Sequence, residues 1–468
     1  MLFPAKKLIV YELNEVPDRV LRWYVERDPD SPIARMLNHG RYASSVAEDS
    51  GILSPWTTWA TLHRGVTNDT HTIADLGQNL DEIDADYPPI WRLLKDAGIS
   101  TGVFGSLHSY PPPADIEGYT YYMPDTFATG PEAHPKDLEP FQAFNLSMVD
   151  TSGRNVDSGL PIASAASFLV KAPFLGLRAG TIMRVGKQIL DERMEPIRRV
   201  RRRTTQTDLA FDFFLAQLRK SQPQFTTFFT NHVASTMHRY WPATFPQDYS
   251  KKDLPDGWEE QYSGELLYTM DVANRHIGEL QAFCRKHPEH ALVVISSMGQ
   301  AAVDNDEIVL SQLYVEDRTA FFGALGIAES DWEARRVMLP RYVQSLSGSA
   351  AKVLRAKLPT VRINGEPIIH SEHTEGVFMV KFGHINLDED TLSVEVEGKP
   401  IDWRSAGLKV TPIQDATGSY AYHVPEGIVL VWDPEDERAE TVNETIPTQA
   451  IAPAMLQAYG VTPPAHMS

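Results

Sequence analysis

The sequence predicts an α/β protein built on a mostly parallel sheet with helices on both faces, and three observations carry that expectation. Strand-like runs alternate with helical segments along the chain. The stretch ALVVISSMGQAA (291–302) reads as a buried strand, Val293-Val294-Ile295, running into a polar turn at Ser296–Gln300. In such folds the carboxyl end of a strand is where ligands meet side chains. The chain of 468 residues, 42% hydrophobic and 22% charged, has room for one large domain with insertions.

Taken in order, KLIVYEL (7–13) is the first strand and DRVLRWYVE (18–26) the helix behind it. YPPIWRLLKDAGISTGVFG (87–105) is a helix that starts after its prolines, closes at Gly98 and feeds a short strand. FTTFFTNH (225–232) is a third strand, and ELLYTMDVANRHIGELQAFCRKH (265–287) is a helix leading into ALVVIS. Residues 155–220 form a helical insertion: apolar first, then strongly basic in RMEPIRRVRRR (193–203), then amphipathic. The arginine run is either a solvated helix face or a patch that attracts anions or an acidic partner. Helix-like polar sequence fills 329–372. Alternation in TLSVEVEGKPIDW and GIVLVWD predicts a small antiparallel sheet within 384–440. The expectation is one domain over 1–468 with these two embellishments.

A net charge of −19 argues against nucleic acid as a partner, because phosphate backbones are bound by clustered Lys and Arg. It leaves open a small anionic substrate or ligand, since sites are local. Cys284 stands alone, so no disulfide framework is expected. The apolar run near the N-terminus is too short for a signal-peptide core or a membrane span, which makes the cytoplasm the expected location. The longest apolar stretch, 159–180, is broken by Pro161, Lys171 and Pro173 and reads as a groove cover or an interface. With the basic run that follows, it also leaves a peripheral membrane contact open.

Several blocks, in order, resemble the alkaline phosphatase superfamily, in its type I phosphodiesterase/nucleotide pyrophosphatase-like branch. Tyr11-Glu12-Leu13-Asn14-Glu15 stands where that family has a strand ending in a metal-binding Asp followed by Gly. SPWTTWATLHRGVTNDTHTI (54–73) resembles its nucleophile helix, and IWRLLKDAGISTGVFG with PPPADIEGY (111–119) the next helix, strand and loop. MDVANRHIGEL (270–280) resembles the helix before its Asp-His-Gly turn, HSEHTEGVFMVKFG (370–383) its late metal-histidine block, and IPTQAIAPAMLQAYGVTPPAHM (446–467) its closing helix. The resemblance implies a three-layer α/β/α sandwich. It also implies a hydrolase or group transferase of phosphoryl or sulfuryl esters, sugar- or nucleotide-linked ones included. Two metal ions about 4 Å apart would be expected to clamp the attacking and leaving oxygens.

Carried over position by position, the ligand set is uneven. The three carboxylate positions fall on Asn14, Ala234 and Ser297, and one histidine position on Met298, while His238 and His373 keep their imidazoles. A pocket so short of carboxylates is expected to hold at most one divalent metal, zinc or similar, on His238 and His373 with an outside donor such as Asn231 or His232. The nucleophile position falls on Pro55, flanked by the hydroxyls of Ser54, Thr57 and Thr58, with His63, His71 or His238 as base. Thr57 and Thr58 equally suit helix N-terminal positions. In TNHVASTMHRYWPATFP (230–246), Arg239 is placed to pair with a phosphate or sulfate and Tyr240 or Trp241 to stack on a sugar or base. The other reading of that block is an aromatic cluster sealing the sheet. Asn14, Asn231, His232 and Gln300 complete the substrate-binding candidates, and Glu12 and Glu15 are acid/base candidates if burial raises them. The alternative to an enzyme is a catalytically inactive pseudoenzyme that binds an anionic metabolite or a protein partner.

Overall fold

The structure is a computed structural model that describes the chain from Leu2 to Met467 except for 75–77, 151–171, 173–175, 251–253, 305–307, 336, 338–339, 347 and 439. Six strands of the central sheet are β1 (Lys7–Leu13), β2 (Arg41–Val46), β3 (Thr101–Phe104), β4 (Tyr121–Met123), β5 (Phe225–Thr230) and β6 (His290–Ser296). With Glu426–Trp432 and Glu440–Pro447 they make an eight-stranded sheet, in the order Glu440–Pro447, β2, Glu426–Trp432, β6, β1, β5, β3, β4. All neighbours run parallel except Glu426–Trp432, which is antiparallel to both β2 and β6.

Alternation along β1 builds the three layers. Leu8 and Val10 point into a core shared with helices Pro55–Arg64, Ile90–Asp96 and Ile451–Ala458. Ile9, Tyr11 and Leu13 point the other way, toward Asp18–Arg27, Pro32–His39, Arg202–Ser221, His232–Thr244 and Glu265–Lys286. Burial on both faces is why these strands read as near-continuous apolar runs. The register brings Leu13 opposite Thr230 and Glu12 opposite Ile295, so β1, β5 and β6 end level. Asn14, Asn231 and Ser297 therefore emerge along one edge of the sheet.

The C-terminal third departs from the expected layout. GIVLVWD lies inside the central sheet, not in a small one; Ile428–Trp432 is buried throughout, so its sequence is apolar rather than alternating. The small antiparallel sheets begin earlier than 384. One comprises Trp332–Arg335, Arg341–Leu346, Ile369–Thr374 and Val377–Lys381, and the other Arg362–Ile363, Glu366–Pro367, Val394–Val396 and Lys399–Ile401. They enclose a core of their own around Phe321, Leu354, Ile363 and Phe382. The described residues of 329–372 thus contain one α-helix, Gly348–Lys357, among strands.

Residues 155–171 and 173–175 of the expected insertion lie outside the described residues. Its described part comprises helices Ala179–Met194 and Arg202–Ser221. The arginine run is not a solvated face. Arg198 and Arg201 bind the buried Glu265, and Arg202 binds Glu192.

Candidate functional site

β1 ends at Leu13, and the chain turns through Asn14 and Glu15. Glu15 sits at φ 58, a left-handed conformation that disfavours side chains by roughly 1 kcal/mol or more. It is held there by a ring of donors. Asn14 Nδ2 donates to Glu15 Oε1 at 2.8 Å, and Gln300 Nε2 donates to Glu15 Oε2. Two imidazoles complete the ring: His238 Nε2 lies 3.1 Å and His423 Nε2 3.3 Å from Glu15 Oε2. Among the described residues, Glu15, His238 and His423 form a group whose ligand atoms all lie within 4.8 Å of one another.

The far side of each imidazole decides the chemistry. His238 Nδ1 is 2.7 Å from the carbonyl oxygen of Ala421, and His423 Nδ1 is 2.8 Å from that of Leu53. A carbonyl only accepts, so both Nδ1 atoms carry protons. If the rings are neutral, two Nε2 lone pairs face one carboxylate oxygen, which is repulsive. A positive charge among the three groups, such as a bound cation, would relieve that repulsion. Backbone carbonyls holding the distal N–H are also the usual support of metal-bound histidine. Two ligand atoms bound about 2.1 Å from one tetrahedral ion lie roughly 3.4 Å apart, close to both observed separations. The donor set therefore fits one zinc-like ion. Electrostatics within the group are strong: burial alone would raise the Glu15 carboxyl, yet His238 and His423 hold it well below the usual range. Burial would lower His423, and its bond to Glu15 raises it instead.

These positions correct several expectations. The pocket is not bare of carboxylate, because Glu15 supplies one from the residue after Asn14, as an ionised group rather than a raised acid. Among the described residues the second histidine beside Glu15 is His423, a position the resemblance did not single out. The strand carrying His373, Ile369–Thr374, belongs to the small four-stranded sheet, and its His373 side chain lies outside the described atoms. His423 sits on Ala421–Val424, which pairs with Gly299–Ala302 beside the end of β6. Its signal in the sequence is YHVPEGIVLVW, a histidine three residues ahead of a strand of the central sheet.

Asn14 is oriented by Trp59, whose Nε1–H donates to Asn14 Oδ1 at 2.7 Å. Its amide hydrogens then face Asn231 Oδ1, 2.7 Å away, and Asn231 is exposed. Ser297 and Thr58 bind each other at 2.8 Å, and both are fully buried, as is Met298. The Asn14 oxygen is committed to Trp59. Gln300 does sit in the site, but its amide N–H group serves Glu15 and the Ala234 carbonyl.

Other candidates are placed elsewhere. Thr58 and Thr57 are buried in the first turns of helix Pro55–Arg64, whereas Ser54, its N-cap, is partly exposed and accepts the Trp56 N–H at 3.3 Å. Glu12 is sealed beneath the site, 2.8 Å from His63 Nε2, so neither is an accessible acid or base. His71 is buried against Thr61, and burial lowers it to about 4. His232 faces away, toward His276 across the layer, and burial lowers it to about 3. Arg239 pairs with the buried Asp415, and Tyr240 donates to Asp415 and stacks on Tyr262. Trp241 donates to Asp248. The aromatic-cluster reading of this block is the one its geometry fits.

No protein-family model and no curated protein matches the sequence. Among solved structures the chain is similar to murine ectonucleotide pyrophosphatase/phosphodiesterase 5, at 12% identity over 98% of this chain and 97% of that one, with a TM-score of 0.43. The human counterpart gives 11%, 98%, 96% and 0.37. Phosphonoacetate hydrolase from Sinorhizobium meliloti, in complex with phosphonoformate, gives 11%, 98%, 97% and 0.42. Among the described residues no helix is long and apolar enough to cross a membrane.

Proposed function

We propose that this chain hydrolyses a phosphoryl or sulfuryl ester with one divalent cation, zinc or a similar ion, held by Glu15, His238 and His423. The observation that carries the reading is the pair of Nδ1–carbonyl bonds, which leaves two Nε2 atoms aimed at one carboxylate oxygen. When bound, the ion supplies a Lewis-acidic charge that polarises an ester oxygen.

The chain's own groups supply binding and orientation. One dication against the Glu15 carboxylate leaves a local excess of positive charge, which favours an anionic substrate despite the acidic surface. Two helix N-termini add to it: Leu53, just before helix Pro55–Arg64, holds His423, and Asn231 caps helix His232–Thr244. Asn231, held through Asn14 and Trp59 and itself exposed, is the donor proposed for a substrate oxygen. Ser54 is the candidate hydroxyl that remains partly exposed. The ester class rests on the ordered sequence resemblance together with a site at the carboxyl ends of parallel strands.

The test is turnover of bis-p-nitrophenyl phosphate, p-nitrophenyl phosphate and p-nitrophenyl sulfate after chelation and after readdition of zinc or manganese. Turnover should return with one equivalent of metal, vanish in His423→Ala, and persist in His373→Ala. Metal binding without turnover of any ester would overturn the hydrolase reading. Equal loss in both variants would overturn the assignment of His423.

A further inference from the structure

Exposed apolar surface gathers beside the site. Among the described residues Tyr422 is the one exposed Phe, Tyr or Trp, at 44%, whereas Tyr420, two residues before it, and Tyr249, which packs on Tyr420, are buried. Of the large apolar side chains described, Ile52 is the most exposed, at 87%. These two residues flank one hydrogen bond of the site. His423 Nδ1 lies 2.8 Å from the Leu53 carbonyl, and Tyr422 and Ile52 are the chain neighbours of its two partners. The Tyr422 ring also leans on the site itself. Its centre is 4.3 Å from that of His423, with the planes 31° apart, and 5.6 Å from that of His238. Across the strand pair it stands opposite Ala301, whose side chain is too small to cover it. An aromatic ring backed by two imidazoles on one side and open on the other presents a face whose orientation is already set, which lowers the cost of ordering it around a ligand.

We infer that Tyr422 receives the alcohol side of the substrate, and that this group is a flat aryl ring joined to the ester oxygen, with Ile52 against the ring's edge. The inference rests on the reading of Glu15, His238 and His423 as a cation-assisted ester site, and narrows it from esters in general to aryl esters. Such a molecule divides charge from ring as the site does. Its anionic head belongs with the cation and the exposed Asn231, and its ring with the open face of Tyr422. Aromatic rings pair by offset stacking or edge to face, and both arrangements reward a flat partner over a flexible chain, which also loses more rotational freedom on binding. A polyhydroxylated alcohol would have to give up its water to lie against Tyr422 and Ile52 without gaining hydrogen bonds from either apolar surface.

Isothermal titration calorimetry of the full chain with one equivalent of zinc tests this without turnover, using phenylphosphonate, n-hexylphosphonate and methylphosphonate as probes. Phenylphosphonate should bind at least about 10-fold more tightly than methylphosphonate, and more tightly than n-hexylphosphonate. Tyr422→Ala should bring the phenyl-to-methyl ratio to within about 2-fold, by weakening phenylphosphonate alone, and Tyr422→Phe should keep the wild-type ratio. Equal affinity for the phenyl and methyl probes overturns the inference, as does a phenyl preference that survives Tyr422→Ala or is lost in Tyr422→Phe. Tighter binding of n-hexylphosphonate than of phenylphosphonate overturns it in favour of an aliphatic chain. Metal binding without turnover of any ester defeats the hydrolase reading yet leaves the ring preference measurable, so the two failures are distinct. No binding of any of the three probes overturns both.

Discussion

Replacing Glu15 with glutamine keeps the shape of the side chain and its left-handed backbone but removes the carboxylate from between His238 and His423. Supporting groups alone are worth about 10- to 100-fold in metal affinity, so loss of a direct anionic ligand should cost at least ~100-fold. At free zinc about 100 times the wild-type dissociation constant, binding stabilises the folded chain by about 2.7 kcal/mol. After a ~100-fold loss the same zinc contributes only ~0.4 kcal/mol. A chain of 468 residues unfolds with an entropy of about 1 kcal/mol/K, so the zinc-induced rise in Tm should fall from ~3 °C to under half a degree. Scanning calorimetry with and without zinc, alongside metal content after dialysis, measures both quantities. If Glu15 merely neutralises two imidazolium rings, zinc and chelator will leave the wild-type Tm unmoved. That result, or equal zinc shifts in wild type and Glu15→Gln, would refute the reasoning.

Three further outcomes follow from the placements. Thr58→Val should retain activity within severalfold and lose about 1 kcal/mol of stability from its bond to Ser297, whereas a nucleophile lost at this position would abolish turnover. Arg239→Met should cost roughly 3–5 kcal/mol by stranding the buried Asp415, with KM unchanged in whatever folds; a raised KM at native stability would return Arg239 to the substrate. Burial pushes Asp125 up to about 7, above its unfolded value of about 3.9. Its contribution is therefore present below about pH 4 and is lost as pH rises toward 7, on the order of a few kcal/mol in all. Asp125→Asn should remove that slope, gaining on wild type between urea melts at pH 4.5 and 7.5; a constant difference between the two would contradict it.

The core strands are legible because burial on both faces leaves a run such as VVIS little choice, whereas the level ends of β1, β5 and β6 come from their pairing register, which no single strand's sequence states. The same double burial misled the reading of GIVLVWD. An antiparallel strand inside a parallel sheet has no sequence mark distinguishing it from one in a small sheet, so nothing in the sequence draws His423, just ahead of it, toward the site. Glu15 was visible as a carboxylate beside Asn14. Its role was not, because only the left-handed turn carries it across to imidazoles more than two hundred residues away. In the block at 230–246 the polar residues were apparent, but their direction was not: helical spacing sends His238 toward the cleft and Arg239 toward Asp415. Residue type alone does not reveal that rotation.

The most direct test of the account is anomalous diffraction at the zinc edge from crystals of the full chain grown with one equivalent of zinc. A single peak is expected, within bonding distance of Glu15 Oε2, His238 Nε2 and His423 Nε2. A pair of peaks about 4 Å apart, with the second against Asn14 and Ser297, would contradict it, and so would no peak at all.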